Sequence, residues 1–354
     1  MEECGLTKRD FLRLLGVGSI GFGFGVGIFD GIFQAGEGTQ TVRGKSTREL
    51  LLLGTQNFKG FKFSEITPNK DFFTVQYSGE IPKADTKKFQ LKVEGFVEKP
   101  FSISIEEIEK IPVRKEFVTL ECISNPVGGP LIGNALWEGV PLRALIERAV
   151  PKKGAVDTVF YAEDGYSDSI PFGLSINEEV FLAFKMNGER LPREHGSPLR
   201  AVIPGIYGMK NVKWISKIEV VNYDYKGFWQ KIGWSDEAVI PLKSQIRQPE
   251  EGKKIPRGNY VIGGFAFGGR HGISRVQVSI DGADWQEAEV RKPLSRWAWS
   301  LWRFDWKPRP KGPYAIRVRA FDREGKLQES PPLESVDTHI EGSKGIHSIK
   351  VKAE

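Results

Sequence analysis

Few residues in this chain are suited to carry chemistry. Its 354 residues include two cysteines and four histidines. Cys4 and Cys122 cannot build a disulfide framework or a Cys-rich zinc or iron–sulfur site. His195, His271, His339 and His347 are scattered, with no HExxH or other metal-ligand spacing. Any metal must be held by few protein ligands, or by a cofactor that brings its own. Cys122 is the first candidate. It lies near the end of an apolar, β-prone run, and Glu121-Cys122-Ile123-Ser124-Asn125 leads into Pro126-Val127-Gly128-Gly129-Pro130. A thiol where a strand meets a Gly/Pro loop can be reached by a ligand; a thiol within an apolar strand is more simply a small core residue. A nucleophilic Cys122 would need a base, and His195 is the candidate nearby in sequence.

A second cluster runs over residues 195–214. His195-Gly196-Ser197-Pro198-Leu199-Arg200 leads into a strand, then Pro204-Gly205-Ile206-Tyr207-Gly208-Met209-Lys210-Asn211-Val212-Lys213-Trp214. Gly205 and Gly208 let backbone N–H groups approach an anion closely. Arg200 can grip a phosphate with two parallel hydrogen bonds, and Lys213 can add a point charge. The run is neither a P-loop nor GxGxxG, and the residues alone fit a phosphate cradle and a solvated loop equally well.

These groups need a frame. Phe89, Leu91 and Val93 alternate with Gln90, Lys92 and Glu94, the period of a half-buried strand. Ser104-Ile105-Glu106-Glu107 is a capping box opening a short helix. Pro141 stands at a helix start, with Leu142, Leu145, Ile146 and Ala149 at helical spacing. Strands and helices mix without a βαβ beat, which predicts an α+β first domain over residues 41–240. A polar stretch at about 235–258, with Pro241, Pro249 and Pro256, separates it from an all-strand pattern. There Val276, Val278 and Ile280 precede an Asp281-Gly282 turn, and Ile316, Val318 and Ala320 alternate with Arg317 and Arg319. This predicts a β-sandwich over residues 241–354. Five of the nine tryptophans fall between Trp285 and Trp306; Trp297 and Trp299 could fill a sheet face or form a dimer interface.

Hydrophobic residues make up 40% and charged residues 27% of the chain, so the composition is globular. The net charge of +6 is spread without a Lys/Arg-rich run, which argues against nucleic-acid binding. Thr7-Lys8-Arg9-Asp10-Phe11-Leu12 precedes a Gly-rich apolar stretch, residues 14–29. Residues 1–40 therefore read as a twin-arginine-like export signal, with Lys8 in place of the first Arg, or as an uncleaved membrane anchor. The expected location is periplasmic or exported.

Several of these motifs, in order, resemble the sulfite oxidase family of molybdopterin-dependent oxidoreductases. They are Thr119-Leu120-Glu121-Cys122, Trp137-Glu138-Gly139-Val140-Pro141-Leu142-Arg143, and the 195–214 run. Gly263-Gly264-Phe265-Ala266, residues 276–282 and Trp297-Ala298-Trp299 resemble the family's immunoglobulin-like dimerisation domain. The resemblance implies a mixed α/β molybdopterin-binding domain followed by an all-β sandwich, and a homodimer. It implies a molybdenum–molybdopterin cofactor whose metal takes the Cys122 thiolate beside the cofactor's own sulfurs. It places cofactor contacts at His195, Arg200, Asn211, Val212, Lys213 and Asp164, with Asn69, Phe72 and Phe73 as an N-terminal contact. It matches Tyr225, in Asp224-Tyr225-Lys226-Gly227-Phe228, to an active-site tyrosine.

Two departures stand out. Where sulfite oxidases carry an Arg and a His after the paired aromatics, this chain has Phe73-Thr74-Val75-Gln76-Tyr77. Where they place an Arg after the Asn that follows the Cys, it has Asn125-Pro126-Val127. The leading expectation is oxygen-atom transfer of the sulfite dehydrogenase kind. The haem-carrying domain of the animal enzymes has no counterpart in these residues, so electrons are expected to leave to a separate carrier such as a c-type cytochrome. Because the anion-binding positions look neutral, a reductase of S-oxides or N-oxides is the alternative within the enzyme class. A non-catalytic exported binding module is the alternative outside it.

Overall fold

Alternation of apolar and polar residues builds four main sheets in the computed structural model, which describes Gly5–Leu6 and residues 44–83, 85–308, 312–330 and 340–353. The expected export signal or anchor falls outside these residues, Gly5–Leu6 apart. Among the described residues no helix is long and apolar enough to cross a membrane.

One sheet holds the strand that ends before Cys122. Its order is Glu189–Arg190, Phe181–Met186, Ile132–Pro141, Arg114–Glu121, with Arg200–Val202 also paired to Phe181–Met186. All its pairings are antiparallel. Residues 116–121 are buried throughout, so Glu116, Thr119 and Glu121 lie as deep as the apolar residues between them and no alternation of burial appears. The second sheet runs Phe101–Ser104, Gln90–Gly95, Ile215–Val221, Asp157–Ala162, Ser167–Pro171, with one parallel pairing, Ile215–Val221 on Gln90–Gly95. Leu91 and Val93 are fully buried while Gln90 and Lys92 are exposed, as the alternation predicts.

The capping box at Ser104 and Glu107 forms, and Pro141 caps the helix Leu142–Arg148. The α+β expectation nevertheless fits only in part. The longest described helix, Thr47–Gly54, has eight residues, and the others in this region have four to seven. Two or fewer turns leave little apolar face to bury, so sheets carry this half of the molecule.

The remaining two sheets pack as a β-sandwich. One runs Lys243–Gln248, Tyr260–Phe267, Ser300–Trp306, Glu289–Val290; the other runs Lys254–Ile255, His347–Ala353, Gly312–Phe321, Arg275–Ile280, Gln286–Glu287. Their facing residues form a core of their own around Ile262, Val278, Trp302 and Val318. The polar stretch read as a separator contains two of these strands, Lys254–Ile255 and the longer Lys243–Gln248. Its polar side chains are buried and bonded: Ser244 Oγ donates to Gln328 Oε1 at 2.6 Å, and Gln245 Nε2 donates to the Gly128 carbonyl at 2.6 Å. Polarity therefore disguised a core strand.

Trp297 and Trp299 are each 1% exposed, so they do not offer an interface to a second copy. Trp299 belongs to a core shared with Leu182, Ile203 and Val212. Residues 295–299 lie along the outer edge of the Arg114–Glu121 strand. Thr119 N donates to the Trp297 carbonyl, and Trp299 N donates to Thr119 Oγ1, each at 2.9 Å. Ser295 Oγ donates to the Phe117 carbonyl at 2.5 Å. The edge of the first sheet is thus covered by the second half of the chain.

Candidate active site

A cavity open to solvent lies where five segments meet: residues 72–77, 120–123, 164–166, 195–214 and 229–234. Cys122 lines it at the end of its strand, 8% exposed. The backbone fixes it from both sides. Cys122 N donates to the Leu131 carbonyl at 3.0 Å, and the Cys122 carbonyl accepts from Asn125 N at 2.9 Å. One residue back, the Glu121 carbonyl accepts from Gly208 N at 2.7 Å. A Cβ at position 208 would sit 3.2 Å from that carbonyl, so glycine allows the two loops to meet. The Cys122 thiol lies 2.9 Å from Ser124 Oγ, and burial pushes its pKa up.

His195 closes a single helical turn and is 2% exposed. Its Nε2–H donates to the Asn69 carbonyl at 2.8 Å. Burial drives its pKa down to about 4, with Arg200 adding to the effect, so the ring is neutral. Phe72 meets it edge to face at 5.7 Å and stacks on Phe73. With His195 held by Asn69 and the thiol bonded to Ser124, the two do not form a nucleophile–base pair.

Arg200 is buried over the Trp137 ring, its guanidinium 4.8 Å from the centroid. It donates to the carbonyls of His195 at 3.1 Å and Asn211 at 3.2 Å. Among the described residues no carboxylate pairs with it, and burial lowers its pKa to about 9. Lys213 sits 4.1 Å above the Trp214 ring and donates to the Glu194 carbonyl at 3.0 Å. Burial first, then Arg200, lowers its pKa to about 7. Two cations facing one cavity without carboxylate partners form an anion site.

The other predicted residues divide. Asp164 lines the cavity, accepts from Tyr166 N at 3.0 Å, and has its pKa raised by burial. Asn211 spends its side chain on the backbone. Its Oδ1 accepts from Ile203 N, and its Nδ2 donates to the Ile206 and Tyr207 carbonyls. Asn211 thus shapes the loop, and Val212 packs in the core. Asn69 is not among the lining residues and reaches the site through its carbonyl. Tyr225 also does not line the cavity; its hydroxyl lies 2.7 Å from Ser167 Oγ.

Tyr77, Tyr166, Met209, Trp229 and Trp234 line the cavity without having been singled out as site residues. Tyr166 donates to Asp168 Oδ2 at 2.8 Å and lies 5.5 Å from the Tyr77 ring; Trp229 and Trp234 are 4.7 Å apart. Buried Lys210 stands behind them, bound to Asp168 at 3.1 Å and Asp236 at 2.6 Å. The one signal for this wall was aromatic density in a turn-rich segment. Gln76, at one neutral departure, has a buried Oε1 without a hydrogen-bond partner among the described residues. The cavity therefore has a cationic end at Arg200 and Lys213, beside the neutral His195, and a neutral, aromatic end, with Cys122 on its wall.

Residues 78–229 match the oxidoreductase molybdopterin binding domain, and residues 236–352 match the Mo-co oxidoreductase dimerisation domain. The mitochondrial sulfite oxidase of Rattus norvegicus is 32% identical over 287 residues, covering 68% of this chain and 52% of that protein. The sulfite oxidase of Arabidopsis thaliana is 31% identical over 300 residues, covering 67% of this chain and 76% of that protein. The chain spans about half the length of the rat and mouse relatives. The crystal structure of the sulfane dehydrogenase SoxCD from Paracoccus pantotrophus has a similar fold, with a TM-score of 0.70 at 22% identity over 91% of this chain and 94% of that one.

Proposed function

The chain belongs to the sulfite oxidase family of molybdopterin-dependent oxidoreductases, and from that premise we propose that it is an exported oxygen-atom-transfer enzyme that uses Cys122 as its protein ligand to molybdenum and passes electrons to a separate carrier. The observation that carries this reading is one reachable thiol in a cavity with two cations that lack carboxylate partners. That donor set fits the cofactor: a soft thiolate for the metal, and positive charge for the pterin phosphate. When bound, the cofactor supplies two-electron oxygen-atom transfer.

The chain's own groups do the rest. Arg200 and Lys213 would hold the phosphate. The neutral His195 ring, fixed through its Nε2–H, would pack against the pterin, with Phe72 and Phe73 behind it. Asp164 and the backbone of residues 211–213 would supply further polar contacts. The resemblance assigns Tyr225 to the reacting centre, and its bond to Ser167 would have to yield for that role. The aromatic wall lines the neutral end, where the substrate would sit. The dimerisation-domain match supports a homodimer, and a c-type cytochrome fits as electron carrier.

One observation favours a second reading of the reaction. Among the described residues the only cations lining the cavity are Arg200 and Lys213, both at the cofactor end, while the 73–77 stretch, which stands where the family carries its anion-holding Arg and His, offers no cation. A neutral S-oxide or N-oxide, reduced rather than a sulfite anion oxidised, suits such an end.

Protein made in a cofactor-competent host should contain about one molybdenum per chain by mass spectrometry, and Cys122→Ala should lose turnover. Absence of the metal in loaded-host protein sinks the reading, and a Cys122→Ala protein with unchanged turnover sinks the thiolate ligand. Sulfite oxidation and sulfoxide reduction, assayed with an artificial electron carrier, decide between the two directions.

A further inference from the structure

Glu121, next to Cys122, is 1% exposed. Its Oε1 accepts from Lys243 Nζ at 2.5 Å and from Asn125 Nδ2 at 2.8 Å; its Oε2 is buried without a hydrogen bond. Lys243 does not come from the cofactor-binding half. It begins the Lys243–Gln248 strand of the sandwich, and its side chain is only 16% exposed. The same strand holds the far side of the loop that carries Cys122. Gln245 Nε2 donates to the carbonyls of Gly128 at 2.6 Å and Gly129 at 3.1 Å. His347 packs so closely that a Cβ on Gly128 would lie 2.2 Å from its ring, and His347 Nδ1 accepts from Ile246 N at 2.9 Å. Asn125 closes the loop internally, its Oδ1 accepting from Leu131 N at 2.9 Å.

We infer that Lys243 is a positioning residue of the metal site, holding the Cys122 loop and cancelling the buried Glu121 charge beside the thiolate. The inference rests on the reading of Cys122 as the metal ligand. A bound thiolate carries negative charge, and a buried carboxylate one residue away repels it unless a cation neutralises that carboxylate. Groups that orient metal ligands without touching the metal commonly alter metal affinity by about ten- to a hundredfold when removed. The sandwich would then complete the metal site as well as serve any dimer.

The test uses the full chain, loaded with cofactor, and three variants: Lys243→Met, Lys243→Arg, and the double Glu121→Gln/Lys243→Met. Molybdenum per chain, retention against a chelator, the Mo(V) paramagnetic resonance spectrum, kcat, KM and thermal midpoint are read for each. Lys243→Met should retain metal at least about tenfold less well, show a shifted spectrum, and lose kcat with little change in KM. Lys243→Arg and the double variant should both recover metal and spectrum, because each leaves Glu121 balanced or neutral. Wild-type retention and spectrum in Lys243→Met overturn the inference. So does a double variant that folds with the wild-type midpoint yet holds no more metal than Lys243→Met. Should Lys243→Met fail to fold, the double variant decides alone: wild-type metal content supports charge balance, and metal loss in a folded protein overturns it. A wild-type chain without molybdenum overturns both this inference and the function proposed above, whereas a loaded wild type with an indifferent Lys243→Met overturns only this one.

Discussion

At the scale of single residues, the cavity keeps its charges in unfavourable states. His195 is neutral because burial disfavours its charged form. The sign of the consequence is definite. The unfolded chain takes up this proton near pH 6.5, the folded chain only near 4. Between those values the unfolded state binds more protons, so the stability due to His195 is complete above about 6.5 and falls as the pH drops toward 4. Between pH 7 and 4.5 this is worth about 2 kcal/mol. Urea titrations of cofactor-free protein at both pH values should show that extra loss in the wild type and not in His195→Gln. Equal losses would mean that the ring is charged in the folded state. Arg200 poses the complementary case. Its partners are carbonyls, which leave its charge uncompensated. Arg200→Met should weaken cofactor retention by about 1.5–3 kcal/mol, roughly ten- to a hundredfold. Arg200→Lys should recover only part of this, because an ammonium cannot reproduce the planar fork. Chelator challenge followed by metal analysis measures both.

At the scale of elements, the thiol owes its position to an edge strand and to the loop that crosses it. Residues 295–299 satisfy the strand's outer edge, and Gly208 lets the 204–214 loop reach Glu121. Gly205, in the same loop, has φ +78°, and a Cβ there would lie 3.0 Å from the Trp297 ring. Gly205→Ala should therefore cost about 1–2 kcal/mol and loosen the cofactor loop, lowering the thermal midpoint and metal retention together. An unchanged midpoint would show that the loop relaxes freely. Much of this was legible in the sequence. The capping box, the Pro141 helix start and the 89–94 alternation carry local signals, and each forms. Cys122, Asp164, His195, Arg200, Asn211, Val212 and Lys213, which the family resemblance grouped, line one cavity. The illegible parts are those set by tertiary contact. The Lys243–Gln248 strand looked like a separator because its buried groups are polar and find partners far along the chain. Trp229 and Trp234 carry no motif, since aromatic rings read alike in a core and in a cavity wall.

At the scale of the whole molecule, the two halves share one interior. The largest apolar cluster joins Leu182, Ile203 and Val212 of the first half to Phe265, Phe267, Trp299 and Leu301 of the second. Trp297 packs with Phe72, Trp137 and Val202, and its Nε1 donates to Glu179 Oε1 at 3.1 Å. Trp299 Nε1 donates to the Glu65 carbonyl at 3.0 Å. Chains of this length often divide into domains that unfold separately. Here separation would expose large buried rings, uncover the edge of the strand that leads into Cys122, and strand donors that now have partners. The halves should therefore melt in one calorimetric transition. Trp299→Ala, which removes a ring from the shared cluster and one of the two donors to the Glu65 carbonyl, the other being Asn134 Nδ2, should cost about 3 kcal/mol or more. It should lower the melting temperature of the whole molecule or split the endotherm in two. Two separated endotherms in the wild type would mean that the seam contributes little cohesion. In that case the sandwich could leave the Cys122 loop without unfolding it. One wild-type transition ties the integrity of the Cys122 cavity to the fold of a domain that contributes none of the described residues lining it.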